Sequence, residues 1–186
     1  PASTQAPCAL TIGNFDGVHR GHQALLQQLV EGACARHLSP CVLTFEPHPR
    51  EFFSPQDAPP RIQNLRDKLM ALKQCAVDTI AIEEFNQAFS QLSPSEFVQN
   101  ILIEKLNTKW ILIGDDFCYG AKRAGNFDSL AVAGKQFGFE VSRIPSVLES
   151  EERISSSLLR RALEFGDMQR ATQQIGRASC RERVSS

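Results

Sequence analysis

No excess of either charge marks this chain: Lys and Arg number 20 against 21 Asp and Glu, a formal net charge of −1. Without a global field, nothing draws it to nucleic acid or to an anionic membrane surface, so any anion it binds must be held by local donors. The six cysteines (Cys8, Cys34, Cys41, Cys75, Cys118 and Cys180) include no C-x-x-C pair and no cluster with histidine at zinc-like spacing. That leaves no basis for a zinc site. Most of them stand in apolar periodic stretches, where a free thiol serves as a small hydrophobe, and a reducing, cytoplasmic setting is expected. A basic-then-apolar signal segment is missing, and no apolar run approaches the length that spans a bilayer, so no membrane partner is expected. Neither G-x-x-x-x-G-K-[ST] nor G-x-G-x-x-G occurs, which removes the two commonest phosphate-cradling loops. The chain begins at Pro1 rather than Met, and its N-terminus is expected to be incomplete.

What is there is the composition of a globular protein. Hydrophobic residues make up 42% and charged residues 22% of 186, enough for one good-sized core and unlike a disordered segment. Short β-prone runs alternate with longer stretches of helical period. Strands are predicted at 8–12, 41–45, 79–82, 110–113 and 140–144. Helices are predicted at 21–35, 65–75, 93–106, 129–137 and 156–165. Pro47, Pro49, Pro55, Pro59 and Pro60 make the connection after the second strand irregular for at least part of its length. Ser93-Pro94-Ser95-Glu96 is the best local signal, with an N-cap Ser, Pro at the first helical position and Glu closing a capping box. The alternation predicts an α/β fold: a parallel sheet with helices on both faces. In such sheets ligands bind beyond the carboxyl ends of the strands.

One such strand end carries Gly13-Asn14-Phe15-Asp16-Gly17-Val18-His19-Arg20-Gly21-His22. Gly13, Gly17 and Gly21 permit tight turns and close approach of a ligand. The helix that follows points its unpaired N–H groups and positive dipole end at whatever occupies the loop. His19 and His22 are three residues apart, so one turn aims both imidazoles at a single phosphate. As donors they would stabilise the charge that grows on an α-phosphate as pyrophosphate leaves. Asp16 is the candidate to touch Mg²⁺ or to orient the loop backbone, and equally a turn-capping Asp. His37 is expected to be a helix C-terminal dipole partner only.

A second stretch, Arg153-Ile154-Ser155-Ser156-Ser157-Leu158-Leu159-Arg160, reads as a helix start capped by Ser155 or Ser156. Ser156 and Arg160 share a face and offer hydroxyl, N–H and guanidinium donors together, a set that suits the β- and γ-phosphates of ATP. The loops Thr44-Phe45-Glu46-Pro47-His48-Pro49 and Gly114-Asp115-Asp116-Phe117-Cys118-Tyr119-Gly120 complete four ordered motifs. Together these resemble the H-x-G-H nucleotidyltransferase superfamily, and within it the FMN adenylyltransferase half of bacterial bifunctional riboflavin kinase/FAD synthetases. The resemblance covers nearly all of residues 8–172. It implies a Rossmann-like nucleotidylyltransferase fold and transfer of AMP from ATP to FMN, giving FAD and pyrophosphate, with Mg²⁺ screening the phosphates.

On that resemblance His19, His22 and Arg160 are the catalytic candidates. Gly13, Asn14, Phe15, Asp16, Gly17, Gly21, Arg153, Ser155 and Ser156 would bind ATP. Phe45, His48, Pro49, Asp115, Asp116, Phe117 and Tyr119 would bind the flavin, with Asp116 where some relatives carry Asn. Arg161 matches no family position. A same-superfamily enzyme with another phosphorylated acceptor, and a flavin-nucleotide-binding fragment without turnover, stand as the alternatives. The resemblance makes 1–172 the adenylyltransferase domain and leaves no length for a riboflavin kinase module. Residues 173–186, rich in Arg and Ser towards their end, are expected to be a non-native or poorly ordered tail.

Overall fold

The computed structural model describes residues 6–114, 116–144, 148–149, 152–153 and 156–175. Its centre is a five-stranded, all-parallel sheet in the order β3-β2-β1-β4-β5. These strands are β1 (Cys8–Ile12), β2 (Ser39–Glu46), β3 (Thr79–Glu84), β4 (Thr108–Gly114) and β5 (Glu140–Ile144). Each of the five predicted strands is present, most of them longer than expected. A short antiparallel pair, β6 (Leu148–Glu149) and β7 (Glu152–Arg153), follows the sheet.

Alternation along the strands explains why both faces are covered. Leu10, Ile12, Leu43, Ile111 and Ile113 point to one side and pack with Phe97, Leu102, Leu106, Leu130 and Phe139. Ala9, Val42, Trp110 and Leu112 point to the other and meet Leu26, Leu29, Ala33 and Leu72. The second face is thus closed by α1 (Arg20–Ala35) and α3 (Leu65–Gln74). The first is closed by α6 (Phe127–Phe137) and by the helix begun at Ser93. That helix has the predicted reciprocal capping box around α5 (Pro94–Glu96), then widens into a π-helix over Phe97–Lys105. Its last turn is closed by the Leu106 amide on the Ile101 carbonyl, five residues back. Packing of Phe97, Val98, Ile101 and Leu102 on one side accompanies the wider turn.

Among the described residues, three α-helices fall outside the predictions, α2 (Pro49–Phe53) inside the Pro-rich connection, α4 (Gln87–Ser90) and α8 (Met168–Ile175), as does a 3-10 turn at Ala121–Arg123. With α7 (Ser156–Glu164), α8 forms a satellite core of Leu159, Ala162 and Ala171 against Ile62. The expected domain end at 172 therefore falls inside a helix. Cys34 and Cys118 are exposed, unlike Cys8 and Cys41, so only part of the cysteine set acts as buried hydrophobe.

Gly32 shows how closely α1 lies on the sheet, since a Cβ there would clash with the ring edge of buried Trp110. Gly32→Ala gains helix propensity of about 1 kcal/mol but overpacks this contact. We expect a net loss of about 1–3 kcal/mol in urea unfolding; a more stable variant would contradict the close approach.

Candidate active site

The strand order places β1 where the chain reverses direction across the sheet: β2 and β3 lie on one side of it, β4 and β5 on the other. That is the crevice in which open α/β sheets bind ligands. The loops after β1, β2 and β4 all leave from this edge, and they carry the sequence motifs at 13–22, 44–49 and 114–120.

The turn after β1 is held in a backbone conformation that ordinary residues avoid. Phe15 and Val18 have φ of 51° and 33°, and Gly17 has 86°; a β-branched residue at positive φ is uncommon. The surroundings fix it from several sides. The Gly13 amide donates to Leu43 O at 3.0 Å, the Thr44 hydroxyl to Asn14 O at 3.2 Å, and Gln23 Nε2 to Val18 O at 2.8 Å. Asp16 is 8% exposed. Its carboxylate accepts from the Ile62 and Gln63 amides at 3.1–3.2 Å and from Arg160 Nη2 at 2.6 Å. The Ser156 hydroxyl donates to the Asp16 carbonyl at 2.9 Å. So Ser156 and Arg160, one turn apart on α7, do share a face, and that face meets the turn. The printed bonds of the Asp16 carboxylate thus run to the 62–63 segment and to α7, and tie the turn to both.

His19 caps α1, its Nδ1 accepting the His22 amide at 3.3 Å. In the neutral ring this assigns the proton to Nε2 and leaves it as a donor. The His19 and His22 rings stack with centroids 3.7 Å apart, and Phe15 lies 5.0 Å from His22. Burial penalises the imidazolium of His19 and pulls it to about 4, against an opposing pull from Asp16. His22 is held well below its ordinary value, by burial and then by repulsion from His19. Burial thus favours the neutral form of both rings, and His22 Nδ1 is buried with no protein partner. An anion placed here meets the His19 Nε2–H and a helix N-terminus at little electrostatic reorganisation.

After β2, His48 caps α2 through Nδ1, which accepts the Arg50 amide at 3.1 Å, with Pro49 as the first helical residue. Burial lowers the His48 ring below its ordinary value. Phe45 touches Phe85 and Phe89, and the ring contacts continue through Phe97 and Tyr119 to Phe117. This aromatic row joins the end of β2 to the end of β4. Phe117 is half-buried, while Tyr119 is 6% exposed and packs beneath it, its hydroxyl 3.2 Å from Ser129 Oγ. Asp116 is exposed. Asp115, Ser155 and the side chain of Arg153 lie outside the described residues.

Sequence reading missed a charged cluster beside these loops. Lys68 is 7% exposed, and burial pulls its ammonium below the usual lysine value. It sits on the same α3 face as Leu72, four residues on, and a cation in that apolar stripe was the available signal. Arg61 pairs with Glu46 and Glu51, and its hydrogen bond holds the Glu51 carboxyl below the ordinary range. A cavity of about 20 Å³ lies among Asn14, Asp16, Glu46, His48, Arg61, Gln63 and Lys68. No group of three or more His, Cys, Asp or Glu among the described residues is arranged to hold a metal ion. Among the described residues no helix is long and apolar enough to cross a membrane.

The sequence profile of the FAD synthetase family matches residues 2–158. Similar curated proteins are bifunctional riboflavin kinase/FMN adenylyltransferases. That of Escherichia coli (strain K12) is 42% identical over 176 residues, 93% of this chain and 56% of that protein. That of Haemophilus influenzae is 43% identical over 170 residues, covering 91% and 55%, and that of Pseudomonas fluorescens is 44% identical, covering 91% and 54%. The chain thus spans about half the length of the curated relatives it matches. Among solved structures, a macrolide-efflux protein from Streptococcus pneumoniae superposes with a TM-score of 0.82 at 28% identity, over 94% of this chain and 57% of that one. A pantoate-beta-alanine ligase from Francisella tularensis, at TM-score 0.51 and 14% identity over 92% and 78% of the two chains, shares the fold alone.

The neutral histidine pair has a consequence for stability. Unfolded His19 takes up a proton near pH 6.5, whereas the folded ring refuses it until about 4. The unfolded state binds more protons in that window, so stability falls as pH drops through it, by about 3 kcal/mol at most. His19→Asn keeps a capping acceptor and should lose less stability between pH 7 and pH 4 in urea titrations. An unchanged pH slope would contradict the buried neutral ring.

Proposed function

The chain belongs to the FAD synthetase family, and from that premise we propose that it transfers AMP from ATP to FMN, releasing FAD and pyrophosphate. The observation that carries the reading is the meeting of the H-R-G-H turn with the Ser156–Arg160 face of α7, through Asp16, at the β1/β4 crevice. The names of the relatives favour FMN over another phosphorylated acceptor. Those names also include riboflavin kinase; the proposal for these residues is adenylyl transfer.

In this reading a phosphate oxygen of FMN attacks the α-phosphorus of ATP in line, and the bond to the pyrophosphate oxygen breaks. FMN brings its own anionic nucleophile, so catalysis is positioning and charge stabilisation. His19 and His22 donate from Nε2 to the α-phosphate, and the glycine-rich backbone of residues 13–17 and Gly21 lies along the nucleotide. Arg160, Arg153, Ser155 and Ser156 receive the leaving pyrophosphate, with Arg160 exchanging the Asp16 carboxylate for phosphate oxygens. Phe45, His48 and Pro49 form one wall for the flavin. Asp116 and Phe117 form the other, with Tyr119 stacked against Phe117; for Asp115 the proposal is a flavin contact on the family resemblance. Mg²⁺ would arrive on the phosphates, since it retains water and phosphate ligands readily and the turn's own carboxylate, Asp16, is already bonded. The reaction is assigned to the cytoplasm, in keeping with free thiols at Cys8, Cys34, Cys41, Cys75 and Cys118.

FAD formation from ATP, FMN and Mg²⁺, followed by HPLC, tests the reading. Folded wild-type protein that makes no FAD would refute the activity. His22→Ala should lower kcat by about 10²–10³, and near-normal turnover would remove His22 from the mechanism.

A further inference from the structure

We propose that Lys68 is a positioning residue for this reaction: its ammonium group locks the nucleotide turn after β1 to the end of β2, where the proposed flavin wall begins. The inference rests on the adenylyl-transfer reading and adds the element that sets the two substrate sites relative to each other.

Lys68 Nζ lies 3.4 Å from Asn14 O, 3.2 Å from Thr44 Oγ1 and 3.4 Å from Phe45 O. One of these acceptors belongs to the turn proposed for ATP, and two belong to the segment that begins the flavin wall. The Thr44 hydroxyl in turn donates to Asn14 O, so the turn after β1, the end of β2 and the ammonium form one closed hydrogen-bonded ring. An ammonium has three N–H donors, and these three acceptors use them. None is left for a substrate phosphate, which separates positioning from direct catalysis.

The alternative is that Lys68 merely stabilises α3. That helix already has a side-chain cap from Asn64 and an apolar anchor in Leu72. A methyl- or methylene-ended residue would fill the same stripe without the cost of burying a charge. The nearest carboxylate, Glu46, is 4.0 Å from Nζ and is itself paired with Arg61 at 2.6 Å. Charge neutralisation alone therefore does not explain the lysine, whereas the ring of acceptors does. In-line transfer requires two bound substrates in one geometry, and misplacement by about 1 Å can cost about 10² in rate.

Lys68→Met keeps the stem and removes the donors. We expect kcat for FAD formation to fall about ten- to a hundredfold, with KM for ATP and for FMN each within about threefold of wild type. Lys68→Arg restores charge and donors and should recover most of the loss. Thr44→Val removes one acceptor and its own bond to Asn14 O; it should lower kcat by a smaller factor, and the two losses should combine less than additively in the double variant. Wild-type kcat in Lys68→Met, a loss confined to KM for one substrate, or Lys68→Arg no better than Lys68→Met would each overturn the proposal. If Lys68→Met does not fold, Thr44→Val decides: a kcat loss at constant KM supports the lock and an unchanged kcat overturns it. Wild-type protein that forms no FAD sinks the adenylyl-transfer reading and this inference with it. Active wild type beside an equally active Lys68→Met sinks this inference alone.

Discussion

The Asp16 carboxylate is the interaction on which the rest of the site depends. It is buried and bonded to the Ile62 and Gln63 amides and the Arg160 guanidinium. A buried carboxylate without such partners would be strongly unfavourable, so the turn, the 60–63 segment and α7 are committed to one another. Through that commitment a helix more than 130 residues downstream in sequence is brought onto the first loop of the fold. The same knot supports the satellite core, because Leu159 and Ile62 pack beside Gly17.

Positive φ at Phe15 and Val18 is sustainable only where the neighbours over-determine the backbone. Here they do: bonds to Leu43, Thr44, Gln23, Ser156 and Lys68 reach the turn from β2, α1, α7 and α3. What the strained turn supplies is a pair of stacked, neutral imidazoles at a helix N-terminus. Neutral rings suit a site that must first be stable without ligand. Two imidazolium groups at that separation would repel, and burial already disfavours either charge.

Electrostatics around the site is a matter of balanced pairs rather than of net field. Arg160 faces Asp16, and Arg61 faces Glu46 and Glu51. In the proposed reading, phosphate ligands would enter by exchanging partners with groups already in place. The apolar side is built differently, from the row of rings between Phe45 and Phe117 that links the ends of β2 and β4. A planar ligand and a polyanionic one thus have separate walls leaving from one sheet edge.

Local chemistry alone determined the strands, the larger helices and the capping box at Ser93, because period, capping and turn preference act over a few residues. Pairing of His19 with His22, and of Ser156 with Arg160, was equally legible, since three- and four-residue spacings fix a shared face. Three of the four motifs mark the strand ends around the proposed site and the fourth marks the start of α7, and together they are legible as those of the FAD synthetase family from sequence alone. Tertiary structure alone decided the partners. Whether Asp16 bonds an amide or an ion, that Tyr119 lies under Phe117, and that Lys68 and Arg61 face the loops all depend on contacts between distant segments. A lysine in an apolar stripe reads as a snorkelling surface residue until the acceptors at Asn14, Thr44 and Phe45 are folded around it. Sequence spacing sets which residues share a face; only the packed sheet sets what that face meets.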